Sequence, residues 1–193
     1  MKNQEVEIRA LLPDKDENFH DELIQTGASK IGESILEDWY YCPNHVTDFS
    51  EIEMKEIGTY SLRIRKSTGF ISDEGELNVK IISRYDDHSS WEEQEVKVSS
   101  VEEMKKILRS IGFKKYFEIR KERTDYILGE LNISVEKIKG LGYAIEVEIM
   151  TTREKSSEAK NKIRKFLSRL NINPDNAVPK SITNILMRKL SKF

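Results

Sequence analysis

The 193-residue chain carries 32 Lys/Arg against 34 Asp/Glu, a formal net charge of −2, and 37% of its residues are hydrophobic. That length suits one domain, or at most two small ones, and buries a core without staples. The apolar residues are spread along the chain, which argues against disorder, and no apolar run approaches the ~20 residues of a membrane span. The segment Met1–Glu5 lacks the apolar stretch of a secretory signal, so a cytoplasmic protein is expected. Cys42 is the only cysteine, which excludes an intramolecular disulfide and a Cys-based zinc site. His20, His45 and His88 are scattered, which argues against a His-rich metal site.

Charge is uneven along the chain. Residues 151–193 hold 11 Lys/Arg and 3 Asp/Glu, a net of +8, leaving −10 on residues 1–150. A basic tail suits a polyanionic partner, the wet side of amphipathic helices, or a clamp on the acidic body. No interleaved aromatics argue for stacked bases, so nucleic acid is disfavoured as a partner.

In chain order, residues 4–12 alternate polar and apolar and predict a strand. Residues 16–29 predict a helix with Phe19, Leu23 and Ile24 on one face and Gly27 at its stop. Strands are expected over 31–41 and 51–57, with a 43–50 loop opened by Pro43. Residues 59–66, 76–82 and 92–98 alternate again. Residues 100–112 predict a second helix, capped by Ser100, striped by Val101, Met104, Ile107, Leu108 and Ile111, and ended by Gly112. Strands 115–128 and 130–138 meet at Gly129, and 143–150 follows Gly140-Leu141-Gly142. Helices are expected over 154–170, with Ile163, Phe166, Leu167 and Leu170 as its stripe, and over 180–191, with Ile182, Ile185, Leu186 and Leu190. Seven or eight strands with short connections predict an α+β domain built on one antiparallel sheet or barrel.

The polar strand faces carry doublets of like charge: Glu5 and Glu7 with Arg9, Arg63 and Arg65, Glu93 and Glu95, Lys121 and Arg123, Glu146 and Glu148, with Lys80 opposite Val79 and Ile81. A wet strand face explains any one of them. Their recurrence asks for a charged guest, because like charges two residues apart on one face repel. Carboxylates suit Mg²⁺ or Mn²⁺, and arginine forks suit phosphate oxygens.

In order and spacing these segments resemble the CYTH superfamily, the triphosphate tunnel metalloenzymes, which groups class IV adenylyl cyclases with thiamine and inorganic triphosphatases. Glu5-Val6-Glu7-Ile8-Arg9 matches the N-terminal Glu-x-Glu-x-Lys signature, with Arg in place of Lys. Asp38-Trp39-Tyr40 matches an Asp-x-Tyr segment, and Arg63-Ile64-Arg65 an Arg-x-Arg strand. Lys80, Glu93-Gln94-Glu95, Lys121-Glu122-Arg123 and Gly140-Leu141-Gly142 running to Glu146-Val147-Glu148 follow. Departures are Cys42 for an aspartate, Glu136 for an aspartate, and Trp91 for an arginine.

The resemblance implies a single domain over 1–193, with residues 1–150 forming a closed eight-stranded antiparallel barrel and the basic 151–193 helices packed on it. It implies Mg²⁺ or Mn²⁺ as cofactor, with Glu5, Glu7, Glu93, Glu95, Glu146 and Glu148 as metal ligands or groups supporting them. Arg9, Arg63, Arg65, Lys80, Lys121 and Arg123 would hold the substrate phosphates, and Lys80 and Tyr40 would assist catalysis. Tyr40 as a packing aromatic stays equally open. The expected partner is a triphosphate such as tripolyphosphate, ATP or thiamine triphosphate, with no membrane partner; a homodimer stays open. Three activities remain: a metal-dependent triphosphatase, which is favoured, a class IV adenylyl cyclase, and a non-catalytic binder of polyphosphate or nucleotide.

Overall fold

The computed structural model describes residues 4–53, 56–69, 74–82, 91–173 and 185–186. Its strands are β1 (Gln4–Leu12), β2 (Ser29–Pro43), β3 (Tyr60–Gly69), β4 (Glu74–Ile82), β5 (Trp91–Val98), β6 (Phe113–Leu128), β7 (Leu131–Ile138) and β8 (Gly142–Thr151). The helices are α1 (Phe19–Gln25), α2 (Val101–Ser110) and α3 (Ser156–Arg169). The eight strands form one sheet in the order β1-β8-β7-β6-β2-β3-β4-β5. The ladders β1/β8, β7/β8, β6/β7, β3/β4 and β4/β5 are antiparallel. The fold is thus α+β, but the expected closed barrel is not formed: β1 and β5 end the strand order, and no ladder joins them among the described residues. Alternating patterns specify which face of a strand is buried; they do not specify whether its last edge finds a partner.

The chain divides into two compact units, Met1–Ser34 with Lys121–Pro179, and Ile35–Arg120 with Lys180–Phe193. In the first, Ile8, Ala10, Leu12, Ile133, Val135, Ile145, Val147 and Ile149 form one apolar sheet face. It is covered by Phe19 and Leu23 of α1 and by Ala159, Ile163, Phe166 and Leu167 of α3. Period 2 in the strands and period 3.6 in α3 therefore meet as the sequence predicts. Gly129 (φ 60°) and Glu130 alone link β6 to β7, since Leu128 and Leu131 are already a cross-strand pair. That left-handed turn favours glycine.

In the second unit, Ile64, Leu62 and Leu77 face Leu108, Val101 and Met104 of α2. Ser100 caps α2 by accepting the Glu103 N–H at 3.2 Å.

Three local expectations are corrected. Ile24 is 51% exposed, so Phe19 and Leu23 alone carry the α1 contact. Ile107 and Ile111 are 50% and 63% exposed, so the buried stripe of α2 is narrower than its apolar stripe. The expected 51–57 strand is not found in its described part: Phe49–Glu51 is a 3-10 turn closed by a capping box between Asp48 and Glu51. Of the expected 180–191 helix, Ile185 and Leu186 are helical, and the rest lies outside the described residues.

Candidate functional site

Each unit presents a charged sheet face opposite its helix-covered face. In the first unit, cross-strand register builds it in rows. Glu7 lies opposite Glu148, and Glu148 opposite Asn132. Arg9 lies opposite Glu146, Glu146 opposite Ser134, and Ser134 opposite Asp125. Arg123 lies opposite Glu136. Glu5 pairs with Met150 along the same ladder; its side chain lies outside the described part.

The side chains are interlocked. Arg9 pairs with Glu146 and stands 3.6 Å from Glu7. Lys121 donates to Glu136 at 2.7 Å, and Arg123 stands 3.8 Å from the same carboxylate. Arg123 also donates through Nε to Asp125 at 2.7 Å and through Nη2 to Ser134 Oγ at 2.5 Å. Burial pushes the Glu136 carboxyl up, but Lys121, then Arg123 and Arg9, outweigh it and hold it below the usual carboxylate range. Asn132 donates to Glu148 at 3.1 Å.

In the second unit, β3–β5 contribute Arg63 opposite Asn78, Asn78 opposite Glu95, Arg65 opposite Glu76, and Lys80 opposite Glu93. Asp38 of β2, 1% exposed, accepts Arg65 Nε and Nη2 at 2.6 and 2.8 Å. Arg63 donates to Glu76 at 3.2 Å. Lys80 pairs with Glu93 at 3.1 Å, and Asn78 donates to Glu93 at 2.5 Å. Burial would raise Glu93, yet Lys80 and Asn78 bring it below its usual value. Burial raises Glu76, Arg65 and Arg63 oppose this, and a hydrogen bond with Glu95 adds to the rise. Tyr40, 6% exposed, packs its ring against Tyr116 and Phe117 at 6.4 and 6.1 Å.

Two buried donors stand out: Arg9 Nε and Arg63 Nε have no hydrogen-bond partner among the described residues. A buried donor left unmade costs about 1–3 kcal/mol, so both faces hold cationic groups short of an acceptor.

The structure thus gathers Glu7, Arg9, Lys121, Arg123, Glu146 and Glu148 on one face, and Arg63, Arg65, Lys80, Glu93 and Glu95 on another. Asp38, Glu76, Asn78, Asp125, Ser134 and Glu136 complete these networks although the doublets did not single them out as site residues. The Asp38, Glu76–Lys80 and Glu136 segments carried a family match or departure as a signal; Asp125 and Ser134 carried none.

Among the described residues no three His, Cys, Asp or Glu side chains stand together as a ligand set. Mg²⁺, however, is commonly held by one or two carboxylates, with waters and substrate phosphates filling the rest. Glu7 and Glu148 are directly opposed, which places their Cβ atoms about 4.5–5.5 Å apart. Such like-charged neighbours repel unless a cation joins them, and their oxygens are of the hard kind Mg²⁺ or Mn²⁺ takes.

Comparison with known proteins defines the class. Residues 3–182 match the CYTH domain family, and the chain belongs to that family. It is 32% identical over 182 residues to the Methanocaldococcus jannaschii protein named "Putative adenylate cyclase", covering 92% of this chain and 95% of that one. A solved Pyrococcus horikoshii structure superposes with a TM-score of 0.78 at 25% identity, covering 97% of this chain and all of that one. A Vibrio parahaemolyticus structure described as "a putative adenylate cyclase" shares the fold, with a TM-score of 0.75 at 16% identity over 96% of this chain and 99% of that one. No helix among the described residues is long and apolar enough to cross a membrane.

Proposed function

We propose that this protein is a divalent-metal-dependent triphosphatase acting on inorganic or organic triphosphate. The observation that carries the reading is the pair of buried, unpartnered guanidinium nitrogens, Arg9 Nε and Arg63 Nε, in faces already crowded with cations. A phosphate oxygen is an acceptor that arginine forks match in charge and shape. CYTH membership makes a triphosphate the natural ligand.

Arg63, Arg65 and Lys80 would hold phosphates on the face of the second unit; Arg9, Lys121 and Arg123 would do so on that of the first. Glu7 and Glu148, with Glu5 and Glu146, would hold Mg²⁺ or Mn²⁺, which supplies neutralisation of phosphate charge when bound. Glu93 and Glu95 would bind the metal or orient the cations; Glu93 pairs with Lys80. Phosphoryl transfer asks the protein chiefly for positioning and charge compensation. Lys80, paired with Glu93 at 3.1 Å, would stabilise the leaving oxygens, and Tyr40 is the second candidate catalytic group.

A second reading is a class IV adenylyl cyclase, in which the ribose 3′-hydroxyl attacks the α-phosphorus and pyrophosphate leaves. The name of the Methanocaldococcus relative favours it. Incubation with tripolyphosphate and with ATP, each with Mg²⁺ or Mn²⁺, separates the readings. Phosphate released from either substrate supports the triphosphatase, and cyclic AMP with pyrophosphate supports the cyclase. Binding without either product would leave a non-catalytic polyphosphate binder. Loss of phosphate release in Arg63→Ala, with the melting temperature retained, is expected under the first reading.

A further inference from the structure

Arg63 and Arg65 stand two residues apart on one face of β3. Their backbone positions are therefore about 7 Å apart, and their charges repel. One carboxylate stands before both. Asp38 takes Arg65 through two hydrogen bonds, at 2.6 and 2.8 Å, and its Oδ2 is 3.9 Å from Arg63 Nη1. Asp38 is 1% exposed, so it is not a solvent-facing partner of convenience. On its far side Arg63 is tied to Glu76 at 3.2 Å, while its Nε stays buried and unpartnered.

One donor of the pair lacks an acceptor: Arg63 Nε is buried with no hydrogen-bond partner among the described residues. Asp38 supplies one negative charge for two guanidinium groups. Glu76 is the second carboxylate within reach, paired with Arg63 at 3.2 Å. The plane of Arg65 is fixed by the two-point contact, and Arg63 is held between Asp38 and Glu76. Rigidity of this kind rewards only a ligand that meets both groups at once, since ordering costs are settled before binding.

We infer that Asp38 is a positioning residue that locks Arg63 and Arg65 into one fork selecting a chain of phosphates over a single phosphate. The inference rests on the triphosphate reading above and deepens it: discrimination by phosphate number comes from a residue that need not touch the ligand.

The test is calorimetry of the full chain with tripolyphosphate and with orthophosphate, comparing wild type with Asp38→Asn. The variant keeps the side-chain shape and removes the charge. Tripolyphosphate affinity is expected to fall roughly tenfold, about the worth of one charge-assisted hydrogen bond. Orthophosphate affinity should hold or rise, because the local field becomes more positive. A merely structural role moves both affinities down together, and a general field effect moves both up. Either result, or no change in the ratio, overturns the inference. If Asp38→Asn does not fold, Asp38→Glu is measured in the same way. Its displaced carboxylate should lower the ratio at least about threefold, and an unchanged ratio overturns the inference. Wild type showing no preference for tripolyphosphate would instead sink the triphosphate reading, before any variant is compared.

Discussion

Glu136 shows how one residue governs a charged face. It lies 5% exposed and compensates Lys121 and Arg123 together. Glu136→Gln keeps the shape and leaves both cations without their shared counter-charge. Breaking a buried pair in this way costs about 3–5 kcal/mol, and denaturant melts at pH 7 should show a loss of that order. The folded-state pKa of Glu136 is lowered, so its stabilisation is complete above the unfolded carboxylate value and is lost as pH falls through the folded one. The gap between wild type and variant should therefore narrow on acidification below the usual carboxylate range. A gap that widens there would show that Glu136 is not held ionised by these cations. The doublets themselves were legible in the sequence, because period 2 assigns their faces without knowledge of the fold. Their counter-ions were not: Glu136 meets Lys121 from 15 residues away, and Asp38 meets Arg65 from 27. Such pairs follow from strand register, which the alternation of one strand does not set.

Among elements, α3 was readable because all four of its expected apolar positions, Ile163, Phe166, Leu167 and Leu170, are buried. The apolar stripe of α2 was readable as a stripe but not in its covered width. Periodicity tells which side of a helix is apolar; the neighbour decides how much of that side it covers. The 51–57 segment was misread because Ile52 and Met54 alternate with acidic residues, whereas Asp48 and Glu51 settle the local backbone by satisfying its N–H groups. Where α2 joins its sheet, the tight point is Gly75 on β4. A Cβ there would lie 2.7 Å from a Val101 methyl, 2.8 Å from a Val98 methyl and 2.9 Å from the Val98 carbonyl oxygen. Gly75→Ala must push the start of α2 or the end of β5 aside, and overpacking of this kind costs about 1–3 kcal/mol. Thermal melts should show the loss, and trimming Val101 to Ala in the same chain should recover part of it. Full additivity of the two changes would count against the steric account.

At the scale of the whole molecule, each unit follows one plan: an apolar sheet face under a helix and a charged face turned the other way. Among the described side chains, the charged face of the first unit sets Glu7, Glu146, Glu148, Asp125 and Glu136 against Arg9, Lys121 and Arg123, an excess of carboxylate that suits a divalent cation. The basic C-terminal stretch belongs to this plan through packing first and charge second. Ala159, Ile163, Phe166, Leu167, Leu170 and Ile172 are all buried in the first unit's core, whereas Lys160, Lys162 and Lys165 are exposed. Truncation after Met150 removes all six apolar side chains. Large-to-small changes at single sites of this type cost about 2–5 kcal/mol, and a whole domain is stable by only about 5–15 kcal/mol. The truncated chain should therefore lose its cooperative melt and bind a hydrophobic dye. Replacing Lys160, Lys162 and Lys165 with Gln should leave the melt near that of wild type, since the ion pairs of Lys162 among the described residues are with exposed Glu130 and Glu158. Exposed pairs of this kind contribute about 0–1 kcal/mol. The same variant should capture tripolyphosphate more slowly at low salt, and the difference should vanish as added salt shortens the screening length to about 8 Å. A cooperative melt in the truncated chain would mean that α3 is an independent arm. An unchanged capture rate at low salt would mean that its charge serves solvation alone.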